Sequence, residues 1–439
     1  MGKNLARSLA ASILLLAAMG AAFGQSNPRY ISFTPGATKG ALYVPDSGPA
    51  PHIAFLVIHR TANEMDNVKT RELSKRGFMV LGLNPRSDNN EAAVHFEVNA
   101  LDVKQGVEFL RKQPGITKVI LVGHSGGGPT TTFYQATAEK GVSYCQGANK
   151  LTQCPDSLAG LPKADALVLM DAHPGNSINA LRSLNPAVTD ESQPNKLDPS
   201  LDPFNPANGY NPKGDSTYSA AFQARYFKAQ ADRMNRLIDK AQQLQADMRA
   251  GKHFPADDDV FVLYHLRGRL SDISTGVACC TTRPERFLKN DGTIVVQPIK
   301  TVRISQPDNA KRDAEFGSPT GDNTLLTVSS FLSANAIRST NSMDGIDYCS
   351  SNNSTICAVQ QISVPMLIMS MGAHYFIADG ELEYDRAASK DKEFLVVEGA
   401  VHGLSPCRPC AAATGLNYDN ATKNIFDYVA KWANTKFPR

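Results

Sequence analysis

The sequence predicts an α/β protein: a mostly parallel sheet covered by helices on both faces, with a large lid-like insertion. Three observations predict it. Fully apolar runs of strand length recur at Ala54–Ile58, Phe78–Leu83, Val119–Val122 and Ala166–Met170, and such runs suit strands buried on both faces. Segments with helical periodicity lie between them, and strands alternating with helices argue parallel pairing. The alternation breaks off after Asp171 and resumes near residue 362, which leaves 172–361 as an interruption.

The chain opens with Lys3 and Arg7 before a largely apolar stretch, Leu9 to Ala22. Ala22-Phe23-Gly24 places small residues where a signal peptidase reads. Residues 1–24 are expected to be an export leader cut before Gln25, because the stretch is short for a membrane span. No other segment is apolar enough to cross a bilayer, so the expected location is secreted or periplasmic, without a stable membrane anchor.

Tyr30–Phe33 and Ala41–Val44 then read as short strands between Pro and Gly turns. Glu64–Lys75 reads as a helix. Val94, Val98, Leu101, Val107 and Leu110 recur at helical spacing within Val94–Arg111, and a further helix follows residue 125 as far as Lys140. Late in the chain, Pro365–Met371 and Glu393–Val397 read as strands and Ala421–Ala433 as a closing helix. Residues 25–171 and 362–439 are thus the expected core.

Within the insertion, residues 184–214 are rich in Pro, Asn and Asp and read as an extended loop. Thr217–Gly251 reads as a long helix with one apolar face: Phe222, Tyr226, Met234, Leu237 and Leu244. Asn290-Asp291-Gly292 between two short apolar runs signals a β-hairpin, and 325–337 reads as helix or strand. The insertion leaves the sheet just past Met170, on the edge where such sheets bind ligands, so it is expected to act as a lid. Phe204, Tyr210, Tyr218 and Phe222 are expected in the lid's own small core.

A formal net charge of +3 and the lack of a basic block with interleaved aromatics exclude a nucleic-acid partner. Eight cysteines in an exported chain point to disulfides. They fall close together as Cys145 with Cys154, Cys279 beside Cys280, Cys349 with Cys357, and Cys407 with Cys410, although spacing alone does not give connectivity. Cys407-Arg408-Pro409-Cys410 has no second Cys-x-x-Cys or His cluster beside it, so no metal site is expected.

Gly123-His124-Ser125-Gly126-Gly127 carries the chemistry. A strand, a sharp turn and a helix start lift the Ser125 hydroxyl clear of the sheet, with helix-start N–H groups beside it. Ser125 is the expected nucleophile. His402, after the last strand and between Gly399 and Gly403, is the expected base, whereas His124 points away from the turn. Three carboxylates compete as the acid: Asp171 directly after a strand, then Asp379, then Glu381. The expected oxyanion donors are the N–H groups of Gly126 and of Thr61, with that of Arg60 as the alternative to Thr61, while His59 reads as a packing residue.

The ordered set of the serine motif, an acid and His402 resembles the α/β-hydrolase superfamily over residues 29–171 and 362–439. The resemblance implies an eight-stranded, mostly parallel sheet, a Ser-acid-His triad and no cofactor. Two positions depart from the pattern. Arg60 stands where many relatives carry glycine, and the loop after the second-last strand has His374 and Tyr375 in place of an early aspartate. Some relatives take the acid from the preceding strand end, which places Asp171 first. The expected function is an exported carboxylic-ester hydrolase acting on a small-molecule ester. Amide or peptide cleavage by the same triad, acyl transfer, and a catalytically silent binding module are the alternatives.

Overall fold

The computed structural model describes residues 27–34, 38–252, 258–266, 269–316 and 323–439, and the expected leader at 1–24 lies outside them. Fourteen strands are formed among the described residues: β1 (Arg29–Ser32), β2 (Lys39–Tyr43), β3 (Ile53–Ile58), β4 (Met79–Asn84), β5 (Lys118–Ser125), β6 (Ala166–Ala172), β7 (Val260–Tyr264), β8 (Glu285–Leu288), β9 (Ile294–Gln297), β10 (Asn323–Thr327), β11 (Ser339–Asn341), β12 (Gly345–Ile346), β13 (Met366–Met371) and β14 (Lys392–Val397). Ten of them form one sheet in the order β1-β2-β4-β3-β5-β6-β13-β14-β8-β9. Pairing is parallel from β4 across to β8 and antiparallel at both ends.

The eight-stranded expectation is corrected to ten. The Asn290-Asp291-Gly292 hairpin forms β8 and β9, with Gly292 at φ 86°, and β8 continues the sheet beyond β14. Part of the inserted stretch therefore belongs to the main sheet. Without the hairpin β14 would be an edge with free N–H and C=O groups, and β8 satisfies some of them.

Strand residues alternate between the two covered faces. In β3, Ala54, Leu56 and Ile58 pack into one cluster, and Ile53, Phe55 and Val57 into the other. The first face is covered by α2 (Asn99–Arg111), α3 (Gly127–Lys140) and the helix Ile377–Arg386, through residues such as Val103, Val107, Phe133 and Ile377. The second is covered by α1 (Val68–Ser74) and the helix Ala421–Lys436, through Leu73, Phe426, Val429 and Trp432. A helix begins at Val68 rather than Glu64 because Asn67 caps it, accepting from the Lys69 N–H while Thr70 returns a bond to the Asn67 N–H.

The chain crosses from β3 to β4 on one side and then to β5 on the other. The crevice at the carboxyl ends of β3 and β5 is thus the switch point where sheets of this kind bind ligands. The inserted stretch packs α4 (Asn176–Ser183), α5 (Ala220–Arg249) and the β7/β10 pair around Leu181, Met234, Ile238, Phe261 and Phe331. Tyr210, Tyr218 and Phe222 are buried together with Phe204 against them, in a second small cluster. The segment 325–337 divides into the end of β10, a helical turn and a π-helical stretch, Phe331–Asn335. All eight cysteines pair with their sequence neighbours: Cys145–Cys154, Cys279–Cys280, Cys349–Cys357 and Cys407–Cys410.

Candidate active site

Ser125 ends β5 at φ 55°, and α3 begins two residues later. A non-glycine residue in this region is strained by roughly 1–3 kcal/mol. The turn survives because its neighbours demand little room: a Cβ on Gly127 would lie 2.4 Å from the Ile58 carbonyl oxygen. The Ser125 backbone carbonyl is tied to the next loop by the His173 N–H at 2.9 Å.

His402 reaches this hydroxyl from the loop after β14. Gly399 in that loop has φ 60°, and any Cβ there would strike the buried Tyr418 ring. The loop is closed by the Cys407 N–H on the Gly399 carbonyl at 2.8 Å and by the Val401 N–H on the Ser405 carbonyl at 2.9 Å. His124, inside the serine turn, donates Nε2–H to the His402 carbonyl at 2.7 Å, and its Nδ1 accepts from Lys69 Nζ at 3.3 Å. Lys69 in turn pairs with Glu64 at 3.0 Å, both side chains being buried. A buried ion pair thus fixes the imidazole that fixes the His402 backbone.

The three residues expected to act together lie in hydrogen-bond contact. Ser125 Oγ is 2.9 Å from His402 Nε2, and His402 Nδ1 is 2.7 Å from Asp171 Oδ2. Asp171 sits at the end of β6 with φ 45°, and its other oxygen accepts the Met371 N–H at 3.0 Å. Burial of Asp171 opposes its ionisation, but His374 and His402 outweigh burial and hold its carboxyl well below the usual carboxylate range. The remaining carboxylates are occupied elsewhere. Asp379 takes both oxygens to Arg182 at 2.9 Å, and Glu381 accepts the Thr282 N–H at 2.7 Å.

His374 stacks on His402 with ring centroids 4.5 Å apart and brings its Nδ1 within 2.7 Å of the same Asp171 oxygen. Burial lowers the His374 pKa, against the pull of Asp171. Asp171, His374 and His402 are also the one group among the described residues whose donor atoms lie close enough to share a metal ion. The 2.7 Å between His402 and Asp171 is a charge-assisted hydrogen-bond distance. Two ligands on a tetrahedral zinc stand roughly 3.4 Å apart, given bonds of about 2.1 Å.

The expected oxyanion donors fare differently. Gly126 is the N-cap of α3, directly after the serine, so its N–H belongs to the unpaired start of a helix. The Thr61 N–H is instead engaged by His59, whose Nδ1 accepts it at 3.1 Å and the Ala62 N–H at 2.9 Å. The Thr61 N–H is therefore already engaged within its loop: the His59 imidazole, read as packing, folds back over that loop. With Nδ1 accepting twice, the His59 proton sits on Nε2, and that edge abuts Gly126 closely enough to exclude a Cβ there.

A second imidazole stands on the serine. His173 Nε2 lies 2.9 Å from Ser125 Oγ, on the far side of Asp171 in sequence. Its Nδ1 faces the Asn176 amide at 3.2 Å. That amide also meets the Arg60 guanidinium, with Nη2 at 2.8 Å. Only one orientation suits both neighbours: the carbonyl toward the guanidinium and the NH2 toward His173 Nδ1. Arg60 pairs with Glu91 at 2.5 Å, and Glu91 also takes the Thr61 hydroxyl. The residue that departs from glycine after β3 thus packs its side chain against the site.

The loop bearing His173 is held from a distant segment, Ser350–Thr355, which is entirely buried. Thr355 donates to the His173 carbonyl at 2.6 Å, and Asn353 accepts the Asn176 N–H at 3.0 Å and donates to Ala334. His173 and Asn176 escaped the sequence reading because they lie in what looked like a connecting turn. The run Ser-Ser-Asn-Asn-Ser-Thr at 350–355 has the composition of a loop, which carries no signal of its burial. An open cleft reaches His402 between Tyr375 on the core side and Arg303, Ile304 and Asp272 of the inserted stretch.

No family model matches the chain, and no curated protein matches it. Solved structures similar to it include Est1E from Butyrivibrio proteoclasticus, 10% identical over 94% of this chain and 100% of that chain, with a TM-score of 0.43. A monoacylglycerol lipase from Paleococcus ferrophilus is 11% identical over 94% and 100% of the two chains, with a TM-score of 0.39. Brefeldin A esterase, a bacterial homologue of human hormone-sensitive lipase, is 11% identical over 94% and 77%, with a TM-score of 0.39. Strand order, the switch at β3 and the serine elbow carry the fold by themselves.

Proposed function

We propose that this chain, whose architecture is that of the α/β hydrolases, hydrolyses carboxylic esters through an acyl-enzyme on Ser125. The observation that carries the reading is the unbroken contact from Ser125 Oγ through His402 to Asp171, at 2.9 and 2.7 Å. His402 Nδ1–H donates to a carboxylate held ionised, so Nε2 is free to accept the serine proton. The Oγ–acyl bond forms as that proton moves to His402, and the carbonyl oxygen becomes an oxyanion near the Gly126 N–H. The leaving alkoxide takes the proton from His402, and water, activated by the same imidazole, releases the acid.

The inserted stretch supplies one wall of the cleft over His402, which supports its reading as a lid that sets substrate shape. Four disulfides and the absence of a helix long and apolar enough to cross a membrane, among the described residues, support export.

The test is a Ser125→Ala variant assayed on p-nitrophenyl esters of graded acyl length, beside labelling with a fluorophosphonate. Wild-type protein is expected to turn over a subset of the esters and to label once per chain. The variant is expected to fold, to show no labelling, and to lose about 10⁴-fold or more in turnover. Retained turnover by the variant would remove Ser125 as the nucleophile.

A further inference from the structure

We propose that His173 is a second catalytic histidine, a neutral Nε2–H donor that rests on Ser125 Oγ and passes to the acyl oxygen as it becomes an oxyanion. The proposal rests on the ester-hydrolase reading for its chemistry, and on resting-state geometry for its proton.

Two imidazoles stand 2.9 Å from one hydroxyl oxygen. A serine hydroxyl has one proton to give, so the two rings cannot both accept it. The outer nitrogens divide the roles. His402 turns Nδ1 to a carboxylate, which demands Nδ1–H and leaves Nε2 as an acceptor. His173 turns Nδ1 to the NH2 of Asn176, which demands a bare Nδ1 and places the proton on Nε2. Ser125 therefore donates to His402 and accepts from His173.

The surroundings keep His173 from acting as a base. Burial lowers its pKa well below the ordinary imidazole value, with His402, His59 and the Arg60 cation adding to the effect. With its NH2 turned to Nδ1, the Asn176 amide also favours the neutral ring. Behind Nδ1 stands the neutral Asn176 amide, where His402 has a carboxylate. A neutral donor beside the nucleophile suits a tetrahedral oxyanion, because that oxygen forms on the same carbon as the new Oγ bond.

The donor also fills a vacancy in function. The Thr61 N–H, which the loop after β3 would have supplied, is taken by His59 Nδ1. In the same loop Arg60 orients Asn176, and Asn176 sets the tautomer of His173. Proton balance is simple: the serine proton goes to His402, the carbonyl electron pair moves onto oxygen, and His173 keeps its own proton throughout.

The first measurement is made on resting protein, so it judges the tautomer whether or not any ester is turned over. Nitrogen-15 shifts of His173 are expected to report Nε2–H in the wild type and Nδ1–H in Asn176→Asp, whose carboxylate pairs with Arg60 and draws the proton to Nδ1. An Nδ1–H tautomer in the wild type would overturn the proposal and leave the ester-hydrolase reading standing. The second measurement is kinetic. His173→Ala and Asn176→Asp are each expected to lose about 10²–10³-fold in kcat with little change in KM. A trifluoromethyl-ketone analogue should lose affinity by the same factor, which a purely structural role would not produce. If either folded variant keeps kcat and analogue affinity within about threefold of wild type, His173 is not the donor. His402→Ala, lost in both readings, serves as the reference for the core triad.

Discussion

Ser125 is touched by two imidazoles, one carried by the sheet core and one by the first turn of the inserted stretch, and the two are held by different means. His402 leans on a buried carboxylate whose ionisation is enforced by its histidine neighbours. His173 leans on a neutral amide, itself oriented by a guanidinium and by the buried polar segment 350–355. The core contact is electrostatic and suits a group that must become charged. The other is a pattern of directional hydrogen bonds and suits a group that must stay neutral. The comparison teaches that the inserted stretch is more than a cover: it carries part of the polar apparatus around Ser125.

The largest effect expected is on the core side. Asp171→Asn should leave the fold intact and reduce kcat by about 10³–10⁴-fold, since an amide reverses the His402 tautomer. Asp379→Asn should cost less than about tenfold in kcat, because that carboxylate serves Arg182 on α4. Equal losses in the two variants, measured on one ester, would erase the distinction drawn here.

The seam between core and insertion offers a pH-dependent test. Glu97, just before α2, is buried against Ser333 and Asn352 of the insertion, at 2.5 and 3.0 Å. Burial raises its pKa to about 7, against those two hydrogen bonds. The folded value lies above the unfolded one, about 4.3. The folded state thus keeps a proton that the unfolded chain releases, and stability falls as pH rises from about 4.3 to 7. Glu97→Gln should therefore gain stability over the wild type by on the order of 1 kcal/mol per pH unit across that window, and little below it. Urea denaturation of both proteins at pH 5 and pH 8 measures the difference, and a gap that does not widen with pH would break the account.

The smallest effect concerns the brace beside the segment 350–355. Cys349–Cys357 closes it with a sequence separation of 8. Replacing both by serine should cost about 2–3 kcal/mol through the unfolded chain. If the brace also steadies His173, kcat should fall severalfold while Asp171-dependent proton transfer, read from the pH profile, is unchanged.

How much of this was legible varied with the kind of residue. The strands of the core were legible because each is apolar on both faces, and the helices because their apolar residues repeat at helical spacing. Ser125 and His402 were legible because glycines crowd a turn and a late loop where only a tight backbone fits. Asp171 was legible only as the first of three carboxylates. The choice among them depended on contacts already made, Asp379 with Arg182 and Glu381 with the Thr282 N–H.

By itself the sequence determined the layered α/β core, the serine elbow and the residue types able to complete it, because period and glycine placement are local properties of a chain. Only the tertiary structure decided that the Thr61 N–H is engaged by His59, that a hairpin lengthens the sheet, and that Arg60, Asn176 and His173 line up on Ser125. Those outcomes depend on which side chains the folded chain brings together, within one loop for His59 on Thr61 and across a separation of 177 for Asn353 on Asn176. Which distant donor meets which acceptor is settled by packing, and no local pattern encodes it.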